Sequence, residues 1–177
     1  MTEDRKKRAF VCALWVLLIL NMATIFALSA RTAAESTVTS DAIVNAGPMA
    51  AYETLHLEKE VDETLFRKMQ VAVRKTAHFM EFATLCLWAA GLLLCYRARH
   101  PYWIAGAFTV LYAASDEIHQ IFVPGRDCKV TDWLIDAAGA MFGLLLAYMF
   151  MKRHEKKENR AAASEEKENE LFDRPEI

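Results

Sequence analysis

Hydrophobic residues are concentrated in four blocks, while polar residues collect between the blocks and at both ends of the chain. The blocks cover residues 9–30, 77–96, 102–123 and 133–151. A bilayer core roughly 30 Å thick needs about 20 helical residues to cross it, and each block has about that length. The pattern predicts an all-α fold, an integral membrane bundle of four transmembrane helices over residues 9–153.

The first block follows a basic segment, residues 1–8, and a secretory signal peptide begins in the same way. Ala27-Leu28-Ser29 would serve as a poor cleavage site. However, the apolar core of a signal peptide spans roughly 7–15 residues, and this block is longer. We therefore predict that it is an uncleaved membrane anchor.

Basic residues near the ends of the blocks indicate which side each end faces, because lysine and arginine near a helix end are retained in the cytoplasm. Residues 5–8, Arg97 and Arg99, and residues 152–157 would share one side. Most of the basic residues near the block ends are in this group, which predicts that this side, with both termini, is cytoplasmic. Residues 31–76 and the loop between the third and fourth blocks would then lie outside the cell membrane.

The long outer loop contains a turn at Gly47-Pro48 and then a regular apolar spacing. Apolar residues recur every four positions at Leu57, Val61, Leu65, Met69 and Val73, which makes one apolar face of a helix. We predict an amphipathic helix that lies on the outer membrane surface and runs into the second block. An ordinary contact between packed helices would produce the same spacing.

Composition limits the partners of the remaining polar segments. Residues 154–177 alternate acids, bases and asparagine with little apolar content, which predicts a disordered polar cytoplasmic tail. The formal net charge is −2, and the bases lie beside acids, so no basic stripe indicates a nucleic-acid partner. The four cysteines form no CxxC and no extracellular disulfide framework.

Polar residues inside and beside the blocks lie at one depth when the helices alternate in direction. At about 1.5 Å per residue, each group falls within roughly 12 Å of the outer boundary. They also share helix faces through i, i+3 and i+4 spacing. We predict a binding site formed by Lys75, His78, Glu81, Asp116, Glu117, His119, Gln120, Arg126, Asp132 and Asp136.

Charges in this position need partners, since an ionised side chain inside a bilayer costs roughly 2.5–3.5 kcal/mol even on insertion scales. The short loop at residues 123–131 would hold Arg126 over the cluster. We therefore expect the guanidinium of Arg126 to pair with several carboxylates at once.

Less specific explanations compete with a binding site. The polar residues would also be compatible with a structural knot of ion pairs, although buried ion pairs contribute little stability. Asp116 with His119, and His78 with Glu81, each place a carboxylate and an imidazole on one helix face, and both groups can bind a metal ion. However, neither spacing matches a metalloenzyme motif, so we predict no metal and no cofactor. Gly139 and Gly143 predict close helix packing, and the same glycines offer a face for an oligomer.

Three segments together resemble the VanZ-like family. They are R-K-T-A-H-F-M-E-F at 74–82, S-D-E-I-H-Q-I-F-V-P-G-R at 115–126 and T-D-W-L-I-D-A-A-G at 131–139. Phe82 stands where the family commonly has tyrosine, and Cys128 where it often has a small residue. The second difference bears on the shape of the loop at 124–131. The resemblance implies a small bacterial membrane protein of the cell envelope that lowers susceptibility to the lipoglycopeptide teicoplanin.

Two functions of different class agree with these residues. In the first, the cluster is a pocket in the outer leaflet for a lipid head group, an envelope precursor or a glycopeptide, with Lys75 and Arg126 contacting its anionic groups. In the second, the protein is a membrane-embedded enzyme, with His78 or His119 carrying a proton beside a carboxylate such as Glu117. A proton-coupled transporter ranks third, because the acids crowd one boundary.

Overall fold

The computed structural model describes residues 3–50 and 63–172, and within these ranges the chain is helical and contains no strand. The elements are α1 (Glu3–Ser29), α2 (Ala33–Val44), a π-helical turn (Asn45–Met49), α3 (Glu63–Cys95), α4 (Pro101–Gln120) and α5 (Val130–Phe172). The all-α class predicted from the apolar blocks is confirmed for the described residues.

The four long helices alternate in direction, as their side-chain contacts show. Asn21 of α1 donates to Thr84 of α3 at 3.3 Å, and Trp15 donates to Tyr96 at 3.2 Å, so these two helices run antiparallel. On α4, Tyr112 donates to the carbonyl of Met22 at 2.9 Å, and the ring of His119 stacks on Phe26, so α4 runs parallel to α1. The end of α1 therefore lies beside the end of α4.

Three of the described helices are long and apolar enough to cross a membrane: Glu3–Ser29, Glu63–Cys95 and the first part of α5, Val130–Ser164. The chain therefore has the character of a multi-pass membrane protein. α4 is not among the three. Its last turn contains Asp116, Glu117 and His119, whose polarity lowers the hydropathy of a helix of 20 residues.

The segment between the first two apolar blocks contains a helix that the apolar spacing did not predict. A capping box starts α2, because Thr32 Oγ1 accepts from the backbone N–H of Glu35 and Glu35 Oε2 accepts from the N–H of Thr32 at 2.8 Å. The backbone hydrogen bond from Thr32, and then its hydroxyl, lower the pKa of Glu35. α2 packs against the first turns of α3, where Gln70 donates to Asp41.

Other predictions for the loop are changed or lie partly outside the described residues. A π-helical turn replaces the predicted break at Gly47-Pro48 and continues α2. Leu57 and Val61 fall outside the described ranges, whereas Leu65, Met69 and Val73 lie on α3 itself. At about 1.5 Å per residue, the 33 residues of α3 extend roughly 50 Å, so this helix is longer than a bilayer core.

The predicted disordered tail is helical as far as Phe172, because α5 continues without a break from the apolar segment. Glutamate, lysine, arginine and alanine favour helix, and His154 pairs with Glu158 at 3.4 Å one turn away. The described side chains from Lys152 to Ser164 are exposed, so this part of α5 is a solvated helix rather than a disordered chain.

α3 and α5 run parallel and approach each other at two glycines. A Cβ on Gly139 would overlap the carbonyl oxygen of Phe79, and a Cβ on Gly143 would overlap that of Ala83. The glycine stripe therefore brings backbone against backbone, as in close membrane helix packing. α3 of the same chain covers these glycines, so they are not free for a second copy, contrary to the predicted oligomer face.

Alanine at Gly139 or Gly143 should destabilise the bundle by about 1–3 kcal/mol, the usual cost of overpacking, because the added methyl group meets rigid backbone. Gly47→Ala is the matched control, since nothing lies within 4 Å of the Cβ it would add. Thermal unfolding of the purified protein in detergent measures the difference. Equal midpoints for Gly139→Ala and Gly47→Ala would contradict the close approach.

Candidate functional site

The connection from α4 to α5 folds back over the end of α1. Val123 N–H donates to the carbonyl of Gln120, and Arg126 N–H donates to that of Val123 at 3.1 Å. Gly125 between them has φ +75°, a conformation that glycine adopts at little cost. The turn also accepts a hydrogen bond from α2, because Ala33 N–H donates to the carbonyl of Pro124.

Arg126 fixes this connection in place through three hydrogen bonds. Its Nε donates to the carbonyl of Arg31 at 2.9 Å, its Nη2 to that of Leu28 at 3.3 Å, and its Nη1 to Gln120 Oε1 at 3.4 Å. One guanidinium therefore joins the end of α1, the end of α4 and the loop that follows it.

The prediction that Arg126 pairs with several carboxylates is wrong. No described carboxylate lies within 4.0 Å of its guanidinium, and backbone carbonyls take its N–H groups instead. α1 ends at Ser29, and the carbonyls at a helix end that no longer bond within the helix need donors. Burial and the neighbouring guanidinium of Arg74 lower the pKa of Arg126.

A cavity of about 220 Å³ lies between α3, the start of α5 and the connection that holds Arg126. Five predicted site residues line it: Lys75, His78, Gln120, Arg126 and Asp132. Residues that the prediction left out complete the lining, namely Ala33, Val71, Arg74, Gly125, Asp127, Lys129, Thr131 and Ile135. Basic side chains therefore outnumber acidic ones around this space.

Two pairs join α3 to α5 along this cavity. Lys75 Nζ lies 3.5 Å from Asp132 Oδ1, at partly exposed positions. One turn deeper, His78 Nδ1 lies 3.8 Å from Asp136 Oδ1, and the Asp136 side chain is only 1% exposed. The register follows from the glycine contact, because Asp132 and Asp136 lie on the same face of α5 as Gly139 and Gly143.

The remaining predicted residues lie at the same end of the bundle but do not line the cavity. Asp116 accepts from Gln120 at 3.1 Å, and Glu117 accepts from the backbone N–H of Lys129 at 2.9 Å. His119 turns towards α1, where its ring lies 4.7 Å from that of Phe26. Glu81 lies one turn beyond His78 on α3, within electrostatic range of Asp136. These residues form a layer beneath the cavity, that is, on its side towards the middle of the helix bundle.

Sequence reasoning missed Arg74 and Lys129 as lining residues, although both were visible. Arg74 precedes Lys75 within the first of the three resembling segments, and Lys129 lies in the short loop above the cluster. Ala33 could not have been found without α2, which brings it against the loop.

The chemistry of this site suits an anion better than a metal ion. Among residues 3–50 and 63–172, no group of three or more histidine, cysteine, aspartate or glutamate residues is arranged to hold a metal. Guanidinium and ammonium groups, by contrast, line the cavity from α3 and from the loop before α5, and such groups form charge-assisted hydrogen bonds with phosphate or carboxylate.

Comparison with known proteins agrees with the motifs. The model of the VanZ/LLP1 family matches residues 14–151, which include all of α3 and α4, most of α1, the first half of α5 and the loop with Arg126. No curated protein and no solved structure matches the chain. Because the family match covers well over half of the 177 residues, this chain belongs to the VanZ/LLP1 family.

Proposed function

We propose that this VanZ/LLP1 protein binds the anionic head group of an envelope lipid or lipid-linked precursor in its cavity, at the outer face of the cell membrane. One observation carries the proposal. Four lysine and arginine side chains line the cavity, against two aspartates. Through this binding the protein lowers susceptibility to teicoplanin, as its resemblance to VanZ-like proteins implies.

The excess of positive charge around the cavity remains when ion pairing is taken into account. Lys75 is paired with Asp132, but no described carboxylate lies within 4.0 Å of Arg74, Arg126 or Lys129. Three cations at one small cavity repel one another, and an anion bound between them would relieve that repulsion. This arrangement supports an anionic ligand over a cationic or neutral one.

The size of the cavity favours a head group over a whole glycopeptide. Pockets that enclose drug-sized ligands measure roughly 300–1,000 Å³. A space of about 220 Å³ is smaller, so only a terminal group of a large molecule would enter it. A glycopeptide would then be affected indirectly, through the envelope component that the protein holds.

We further propose that α4 is the fourth membrane span and that both termini face the cytoplasm. α4 has 20 residues, about 30 Å of helix, and it packs antiparallel to α3 and α5. Large apolar side chains on its outer face, Trp103, Leu111 and Ile118, are exposed along most of its length. In a bilayer these side chains would contact lipid.

Thiol labelling tests this topology. Cys128 is exposed in the loop above the cavity, so a protein that retains it as its single cysteine reports that loop directly. We expect an impermeant maleimide, in mildly alkaline buffer, to label it on intact cells. A single cysteine introduced by Arg160→Cys, exposed on α5, should react only after the cells are opened. The opposite pattern would overturn the orientation.

Charge removal at the cavity tests the binding proposal. The side chains of Arg74 and Lys129 form no ion pair within 4.0 Å, so Arg74→Ala and Lys129→Ala should leave the fold intact and remove ligand contacts worth about 1.5–3 kcal/mol each. In a sensitive host, both variants should lose most of the protection against teicoplanin at unchanged membrane abundance.

Lys68→Ala is the matched control for this experiment, because Lys68 is an exposed cation on α3 that does not line the cavity. It should protect as the parent protein does. If Arg74→Ala and Lys129→Ala also protect fully, the cavity is not where the protein acts.

A further inference from the structure

A carboxylate without a hydrogen-bond donor lies behind the cavity wall. Asp136 is fully buried, and neither of its carboxylate oxygens has a hydrogen-bond partner within the described part of the chain. Its nearest cationic candidate is His78, whose Nδ1 is also buried without a hydrogen bond, 3.8 Å away. His78 lines the cavity, so its ring separates Asp136 from whatever the cavity holds.

The charges around this pair come from every element packed against it. His78 is within electrostatic range of Asp132 on α5, Asp116 on α4, Arg126 in the loop and Arg74 on its own helix. Asp136 has in addition Glu117 on α4 and Glu81 on α3 as neighbours. Beneath the basic cavity there is thus a layer of carboxylates, and Asp136 is the one whose two oxygens are both buried without a donor.

A bound anion would add negative charge directly above this layer. In a region of low dielectric constant, like charges a few ångströms apart disfavour one another strongly. A proton added to the His78–Asp136 pair offsets the new charge and places a donor on the cavity side of the imidazole. The proton comes from solvent, where an O–H bond breaks as the new N–H or O–H bond of the pair forms, and the bonds of the ligand stay intact.

We propose that the cavity takes a terminal phosphate, the phosphate monoester head group of a lipid, together with one proton that the His78–Asp136 pair binds. This inference rests on the proposed function and specifies its ligand.

Phosphate fits the lining better than carboxylate does. The three cations without a carboxylate partner surround the cavity from two sides, Arg74 on α3, and Arg126 and Lys129 in the loop that precedes α5. A phosphate monoester offers three terminal oxygens to such a set, whereas a carboxylate offers two. Lys129 and Thr131 also place the N-terminus of α5 at the cavity, and helix N-termini favour phosphate.

Isothermal titration of the full-length protein in detergent tests both parts of the proposal. The probes are short-chain phosphatidic acid, a monoester, and short-chain phosphatidylglycerol, a diester with the same apolar chains. We expect phosphatidic acid to bind about tenfold more tightly, the factor that one additional charge-assisted hydrogen bond supplies. Titration in buffers of different ionisation enthalpy counts the protons taken up.

The double variant His78→Gln/Asp136→Asn assigns the proton. For each bound phosphatidic acid, the parent protein should take up about one proton more than the double variant does. Ionisation of the lipid contributes to proton uptake in both titrations, so the difference between them reports the His78–Asp136 pair. The variant should also lose about the tenfold preference for the monoester. His154→Gln, an exposed histidine on the far part of α5, is the control and should match the parent.

The unfolding midpoint of the double variant is measured first. If the double variant is unfolded, His78→Gln alone replaces it, and the same difference in proton uptake is expected from that variant. Equal proton uptake by the parent and the folded variant would overturn the proposal.

Two further outcomes separate this inference from the proposed function. If both lipids bind equally and without a difference in proton uptake, the phosphate–proton proposal is wrong while anion binding stands. If neither lipid binds, the proposed function itself fails. Inorganic phosphate is the third probe, and binding as tight as that of phosphatidic acid would assign the site to free phosphate and overturn the lipid part of the proposal.

Discussion

The contact between α3 and α5 at Gly139 and Gly143 is the constraint on which the polar end of the molecule depends. Without side chains at these positions, the backbones of two parallel helices meet at the carbonyls of Phe79 and Ala83. The contact fixes both the register and the rotation of the helices. Lys75 consequently faces Asp132, and His78 faces Asp136. A larger residue at either glycine would displace both pairs together.

Arg126 positions the loop above the cavity, and it does so through hydrogen bonds to backbone carbonyls rather than ion pairs with carboxylates. By bonding to Leu28 and Arg31 it ties the end of α1 to the loop above the cavity. Asp116 and Glu117 then remain in a lower layer, with Gln120 and the backbone of Lys129 as donors, while four bases and two aspartates line the space above. This uneven distribution of charge is the basis for proposing that the cavity binds an anion and that the layer beneath it binds a proton.

Much of the helix arrangement could be predicted from the sequence, because apolar blocks of membrane length have few alternatives to helix. The gathering of polar residues at one end followed from alternating helix directions, and the contacts agree. α2 was missed since its residues have no apolar periodicity, although Thr32 and Glu35 have the spacing of a capping box. The helical continuation of α5 was missed because polar composition was taken to mean disorder, whereas helix propensity favours extension.

The division of the predicted site into lining and supporting residues could not be obtained from spacing. Helix periodicity places Asp116, His119 and Gln120 on one face of α4, yet of these three only Gln120 lines the cavity. The partners of Arg126 depend on where α1 ends, which no local pattern encodes. Arg74 and Lys129 line the cavity only because α3 begins before the second apolar block and the loop before α5 folds back over it.

Native mass spectrometry of the protein, extracted with its own membrane lipids, tests the central claim that the cavity holds an anionic head group. The account predicts that the parent protein and Lys68→Ala retain an anionic lipid with a terminal phosphate. Arg74→Ala/Lys129→Ala should lose it while the fold persists. Retention of neutral lipids alone, or equal retention of the anionic lipid by all three proteins, would contradict the account.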